Sequence, residues 1–217
     1  MKNAIVTGSE SFGKYILNPS KWLALHVDGK VIANHKIHSL VFPSVTMLPE
    51  GVEHPGETVV KKAKEISTDV IISFGLSSSV NQFRLERTGI NWSENKYCQP
   101  YEFAKPLEKD RPEKERLQID EKRWDFDKMH RLFEQKGINL EQTFSDEAGM
   151  YSCNSWIYRI IVTMKKYNLH IPYIFVHTAC TKESIEMVTN FPRDEKVLIT
   201  KEDLVKGLEA VLESYIS

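Results

Sequence analysis

Residues 69–75, Asp-Val-Ile-Ile-Ser-Phe-Gly, are the stretch from which the fold is read. Val70, Ile71, Ile72 and Phe74 form an almost unbroken apolar run that stops at Gly75, the pattern of a strand buried on both faces and therefore central in a sheet. A strand covered on both faces needs helices on both sides, and the flanking sequence supplies them. On the N-terminal side, Pro55-Gly56 leads into a helix expected from about Glu57 to Ser67, with Val59, Val60, Ala63 and Ile66 as its core stripe. Further out, Ala4 to Thr7 reads as a short apolar strand, and Asn18 caps a short helix that opens at Pro19 and carries Trp22, Leu23, Leu25 and His26. On the C-terminal side, Met129, Leu132 and Phe133 place a helix over Phe126 to Lys136, ended by Gly137. Ile171-Pro-Tyr-Ile-Phe-Val176 is a second buried strand, and Thr200 caps a closing helix with Leu204, Leu208, Val211 and Tyr215 facing inward. Strands alternating with helices predict an α/β fold, a three-layer α/β/α sandwich around a twisted, mostly parallel (mixed) sheet. At 217 residues and 41% hydrophobic composition, one domain spanning 1–217 is expected.

The remaining segments are less regular. Val31 to Val41 reads as one extended run, with His35, Ile37 and Ser39 on one face and Lys36, His38 and Leu40 on the other. His35 and His38 therefore point apart, and without a neighbouring carboxylate or cysteine cluster they are expected to be exposed strand histidines, not metal ligands. His54 reads as a loop residue. Phe83 to Asn91 resumes a strand-like alternation, and Leu140 to Phe144 looks extended. Glu86, flanked by Arg84 and Arg87, is on composition alone a solvated ion-pair partner. Asn91 to Arg123 is polar, proline-interrupted and charge-dense, which predicts a mobile surface excursion at about 92–123.

Composition removes several classes of function. Lys plus Arg at 29 against Asp plus Glu at 30 leaves a formal charge of -1, so there is no global electrostatic case for nucleic acid or an acidic membrane. Cys98, Cys153 and Cys180 are too few and scattered for a disulfide framework and show no CxxC spacing, which favours a reducing compartment. The opening MKNAIVTGSE lacks a signal-peptide apolar region and no run approaches spanning length, so a cytoplasmic protein is expected.

Two stretches carry chemistry. Gly8 to Lys14 fits GxxxxGK, the start of a phosphate-binding loop, but Tyr15 stands where Ser or Thr would ligate magnesium, and the helix expected at Pro19 starts several residues late. In Ser145 to Tyr167, SDEAGMYSCNSWIYRIIVTMKKY, the apolar positions Ile157, Ile160, Ile161 and Met164 recur at helical spacing after Cys153, while Ala148-Gly149 breaks the run before it. The segment reads strand, tight turn, cysteine, helix. A thiol at a helix N-terminus ionises more readily, and its backbone N–H can face a developing oxyanion. Against this stands the common case of a small buried hydrophobe before a helix. A thiol nucleophile needs a base, and the base needs an orienting group. His177, at the C-terminal end of a strand, and Glu86 can take those roles.

On these residues the chain resembles the pyroglutamyl peptidase I (pyrrolidone-carboxylate peptidase) family of cysteine peptidases, over nearly its whole length and as a divergent member. The family's N-terminal TGF(E/D)PFGG with a following NPS or NPT is similar to Thr7-Gly-Ser-Glu-Ser-Phe-Gly-Lys14 with Asn18-Pro-Ser20. A central G-L or G-Q, then E-R and Asn, looks like Gly75-Leu76, Glu86-Arg87 and Asn91. The nucleophile motif S-x-x-A-G-x-(F/Y)-x-C-N is matched by Ser145, Ala148-Gly149, Tyr151 and Cys153-Asn154. The family's F-(I/V)-H-(V/I)-P is matched through Phe175-Val176-His177 and departs at Thr178-Ala179.

The resemblance implies Cys153 as nucleophile, His177 as general base and then acid, Glu86 as its orienting partner, and no metal or cofactor. It implies a peptide substrate with a blocked N-terminus, opened through an acyl-enzyme, and a homodimer or homotetramer. Substrate-binding positions map to Phe12, Tyr151, Ser9, Leu76 and Lys96. The lactam ring of a pyroglutamyl group is expected against Phe12 and Tyr151. Ser9 replaces the first motif aromatic, Ser11 its proline and Lys14 its second glycine, and Lys96 stands for an Arg, keeping charge but losing the planar fork. Glu147 places an anion near Cys153 in sequence, which opposes thiolate formation. Ser9 thus predicts weak activity on pyroglutamyl substrates and tolerance of bulkier acyl groups. The alternatives are a relative with altered substrate, a non-catalytic binding protein on the same fold, and a nucleotide-binding protein.

Overall fold

The computed structural model describes residues 1–11, 17–44, 53–94, 104–142, 144–186 and 198–216. Strand β1 (Lys2–Ser9) leads to helix α1 (Pro19–Val27), then to the hairpin β2 (Val31–Ile32) and β3 (His35–Phe42). Helix α2 (Pro55–Ile66) precedes β4 (Val70–Leu76), which is buried along its whole length, as the apolar run requires. Five short strands follow: β5 (Phe83–Glu86), β6 (Thr88–Ile90), β7 (Ser93–Glu94), β8 (Ala104–Lys105) and β9 (Arg116–Gln118). The chain ends with α3 (Phe126–Gln135), α4 (Ser152–Lys166), β10 (Tyr173–Thr178), α5 (Lys182–Glu186) and α6 (Lys201–Leu212).

The principal sheet has six strands in the order β2-β3-β1-β4-β10-β5. The three pairings among the four inner strands β3, β1, β4 and β10 are parallel, and the edge strands β2 and β5 run antiparallel to their neighbours, giving the expected mixed sheet. Two glycines mark the helical layers. A Cβ on Gly8 would lie 2.3 Å from the Ser20 carbonyl oxygen of α1, and one on Gly75 would lie 3.2 Å from Cys153 Sγ of α4. The β1/β4 register, Thr7 opposite Ser73, puts these two residues on opposite faces, so α1 and α4 cover opposite sides. Helix α6 packs with α1 and α3, and α2 packs with α4.

Several expectations change. Val31 to Val41 is a hairpin, not one strand, because Ala33 and Asn34 take left-handed φ of 45° and 62°. His35 is not exposed: it is buried, donates from Nδ1 to the Ala33 carbonyl at 2.6 Å and accepts at Nε2 from the Tyr215 hydroxyl at 2.9 Å. Burial holds its pKa below the ordinary value. His54 is the N-cap of α2, accepting from the Glu57 amide, so the helix starts at Pro55, earlier than its apolar stripe suggests. Of the run Leu140 to Phe144, the described residues hold a single bridge from Leu140 to Phe83, and Ser145 just beyond it bridges to Glu86.

The expected mobile excursion is, over residues 104–123, fastened to the body. Leu107, Leu117 and Ile119 are in the core, and the buried Asn91 side chain bonds backbone groups of Glu108, Arg111 and Pro112. Tyr158 and Arg159 of α4 reach out to Glu115 and Glu108, at 2.6 Å and 3.1 Å. Lys96 and Cys98 lie outside the described residues. Among the described residues no helix is long and apolar enough to cross a membrane.

Candidate active site

Strand alternation fixes where the site gathers. On β10, Phe175 and His177 share a face, and across the antiparallel pair they stand opposite Glu86 and Arg84 of β5. On the other side His177 is in register with Gly75 of β4, whose missing side chain makes room for Cys153 and the Phe175 ring. Cysteine, histidine and glutamate therefore meet where the C-terminal ends of β4 and β10 approach the first turn of α4.

His177 is 3% exposed and Glu86 0%. The histidine donates from Nδ1 to Glu86 Oε1 at 2.6 Å, a charge-assisted bond that fixes the ring and leaves Nε2 for Cys153. Burial by itself lowers the His177 pKa, but the Cys153 sulfur, as charge and as hydrogen-bond partner, and the Glu86 carboxylate outweigh it and push it up to about 9. For Glu86, burial opposes ionisation, while His177, the nearby Ser145 hydroxyl and Arg84 hold the carboxyl below its ordinary range. Arg84 Nε donates to the same Oε1 at 2.9 Å. Glu86 is thus a buried, ionised partner of histidine, and the solvated ion pair read from its flanking arginines is corrected.

Cys153 is half-buried, a free thiol, and the second residue of α4. That helix begins at Tyr151 with no side-chain cap, and its first intrahelical bond runs from the Ser155 amide to the Tyr151 carbonyl at 3.0 Å. The amides before Ser155 are left to face an anion. Behind Cys153, the fully buried Asn154 side chain accepts from the Ile90 amide and donates to the Ile90 and Trp92 carbonyls, joining α4 to β6. At Gly89 a Cβ would come within 2.4 Å of the Tyr158 amide nitrogen, so only glycine permits this approach of helix and strand. The turn before Cys153 is held by Arg87, which grips Asp146 with two bonds of 2.6 Å, while Thr88 donates to Asp146 at 2.7 Å. These contacts hold the Asp146 carboxyl far below the usual carboxylate range.

The family model for pyroglutamyl peptidase matches residues 2–216. The chain belongs to the pyroglutamyl peptidase family. It is a family of cysteine peptidases, in keeping with the geometry at Cys153. The pyrrolidone-carboxylate peptidase of Brachyspira hyodysenteriae is 27% identical over 216 residues, 97% of each chain. Pyrrolidone-carboxylate peptidase 1 of Caldanaerobacter subterraneus is 25% identical, covering 96% of this chain and 95% of its own. Among solved structures, the pyrrolidone carboxyl peptidase of Thermococcus litoralis aligns with a TM-score of 0.80 at 21% identity, over 98% of this chain and 92% of that one. Pyroglutamyl peptidase I of Bacillus amyloliquefaciens gives 0.77 at 18%, over 97% and 92%. At these identities the structural matches establish the shared α/β fold.

The positions mapped as substrate-binding divide. Ser9 ends β1 on the face of Thr7, whose hydroxyl bonds Ser73; it is buried, and its own hydroxyl contacts Ser44 and the Glu10 carbonyl. Leu76, buried, follows Gly75, and Tyr151 opens α4. Phe12 and Lys96 lie outside the described residues. Glu147 is exposed, with its backbone amide and carbonyl turned to the Ser145 hydroxyl. Its carboxylate therefore meets solvent screening, which weakens the opposition expected from sequence. The GxxxxGK reading loses its helix, since α1 begins only at Pro19. Cys180 is 2% exposed in the core. The sequence reading anticipated an Arg84–Glu86 pair but not its burial beside His177, and it missed the Arg87–Asp146 fastening, because such surroundings are recognised only once β5 is seated beside β10.

Proposed function

We propose that this chain is a cysteine amide hydrolase that removes an N-terminal pyroglutamyl group, or a related cyclic or blocked acyl group, from peptides through an acyl-enzyme. The observation that carries the reading is the buried 2.6 Å bond from His177 to Glu86 beside a cysteine at the uncapped start of a helix. Cys153 Sγ attacks the acyl carbonyl, and the amides at the start of α4 receive the oxyanion. As the C–N bond breaks, His177 passes its proton to the leaving amine. Water then attacks the thioester while His177 takes up the proton, releasing the acid and restoring the thiol. Glu86 keeps the imidazole oriented and stabilises its charged form throughout.

Tyr151, Phe12, Leu76, Ser9 and Lys96 are assigned to the acyl-binding side, and the reading extends to a homodimer or homotetramer working in the cytoplasm. Turnover of a panel of N-terminally blocked peptide amides tests it, with Cys153→Ala as the blank. Release of the acyl group by wild type and none by the blank is the expected result. Equal release by both would refute the nucleophile, and sedimentation at working concentration reads the assembly.

A further inference from the structure

Glu86 receives two donors on one oxygen. His177 Nδ1 and Arg84 Nε reach Oε1 at 2.6 Å and 2.9 Å, whereas Oε2 is buried with no hydrogen-bond partner among the described residues. Arg84 owes this place to register, standing directly opposite His177 across the antiparallel β10/β5 pair on the edge strand of the sheet. It lies outside the motifs that carry the family resemblance. Arg87, the other cation flanking Glu86, is engaged elsewhere, with Asp146 and Glu121. We propose that Arg84 is a positioning residue that tunes the His177–Glu86 pair, keeping the carboxylate ionised and limiting how strongly it holds the imidazole proton.

The physical argument has two parts. A second donor on Oε1 draws charge from the atom that accepts the His177 Nδ1–H, so Oε1 becomes a weaker acceptor of that hydrogen bond. A guanidinium this close also repels an imidazolium, which favours release of its proton. Both act in one direction. A general acid works best with a pKa near the working pH, and His177, already pushed up to about 9 by Cys153 and Glu86, would rise further without the arginine. The titratable groups around the pair are Cys153 from α4, Glu86 and Arg84 from β5, and Tyr173 on β10; Arg84 is the cation among them. Its side chain is 20% exposed, so solvent trims the effect, and the low end of the range for a neighbouring charge, about one pH unit, is expected.

This inference rests on the hydrolase reading of the same site, so its test has one readout that needs turnover and one that does not. The basic limb of kcat/KM is measured for wild type, Arg84→Gln and Arg84→Lys, and the His177 ring is titrated in each by nitrogen-15 NMR. In Arg84→Gln both midpoints rise by about one unit, and Arg84→Lys restores most of the difference by returning the charge. Arg84→Met serves in place of Gln if that variant does not fold. An unmoved His177 titration in the neutral variants overturns the proposal, as does a loss confined to substrates with an anionic leaving group, which would make Arg84 a substrate contact. If wild type shows no turnover but the titration moves, the hydrolase reading fails and the tuning stands.

Discussion

Replacing Gly75 with alanine tests whether the nucleophile sits where the strand geometry puts it. The added Cβ would lie 2.6 Å from Phe175 Cζ and 3.2 Å from Cys153 Sγ, so both must retreat toward ordinary contact. The ring has little room, since Phe175 is 0% exposed and meets the His177 ring edge-on at 5.0 Å between centroids. Overpacking of this kind costs about 1–3 kcal/mol. For a chain of this size that lowers the melting midpoint by roughly 2–12 °C, well short of unfolding at 25 °C. Catalysis should suffer far more, because a displacement of about 1 Å between reacting groups costs on the order of 100-fold. The expected result is kcat down by about two orders of magnitude, KM changed by a few-fold, and a folded protein by circular dichroism. Calorimetry and steady-state kinetics on one blocked peptide amide give all three quantities. A variant that is destabilised yet turns over at the wild-type rate would show that Cys153 does not work against the Gly75 face of the sheet.

Other outcomes follow from named contacts. Cys153→Ala and His177→Ala should each abolish nearly all turnover, Glu86→Gln should leave a residue of it, and the losses should not add, because the three act as one unit; additive losses in a double variant argue against the triad. With His177 as the acid of the proposed mechanism and its pKa raised to about 9, kcat/KM should fall as pH rises through that value, and Glu86→Gln should move the fall to lower pH. Asn154→Ala strands the Ile90 amide and two carbonyls in the core, so urea denaturation should show a loss of about 2–4 kcal/mol. Ser9→Phe must displace the hydroxyl contacts with Ser44 and Glu10, so it should lower stability, and a gain in kcat/KM confined to pyroglutamyl amides would show that position 9 lines the acyl pocket.

Regular elements were legible where one physical rule acted alone. The apolar run ending at Gly75 became the strand it predicts, and Asn18 and Thr200 cap their helices as their side chains suggest. Reading failed where two rules competed. Val31 to Val41 has the alternation of a single strand, yet Ala33-Asn34 turns it back by adopting left-handed backbone, which a favourable β-pattern cannot reveal. Residues 104–123 have the composition of a solvated loop, but three buried apolar side chains and the Asn91 amide decide their place. Charge density is a poor guide when the charges find partners on a helix, as Glu108 and Glu115 do on α4.

The site shows the same division from the chemical side. Cys153 and His177 could be picked from sequence because each occupies a position with its own signal, a helix start and a strand end, independent of what lies nearby. Glu86 has no such local signal and entered only as a candidate orienting group and through the family resemblance, since nothing local separates a solvated glutamate between two arginines from a buried one. Its role is created by the antiparallel seating of β5 on β10, which sets it opposite Phe175, sets Arg84 opposite His177, and removes the carboxylate from water. Desolvation is what turns that arrangement into chemistry. In water an Arg–Glu pair separated by one residue contributes little, whereas here the same carboxylate must keep its charge without solvent. It does so through the Nδ1–H of His177 and the Nε–H of Arg84, so the energetic demand of burying Glu86 and the orientation of His177 are met by one set of hydrogen bonds.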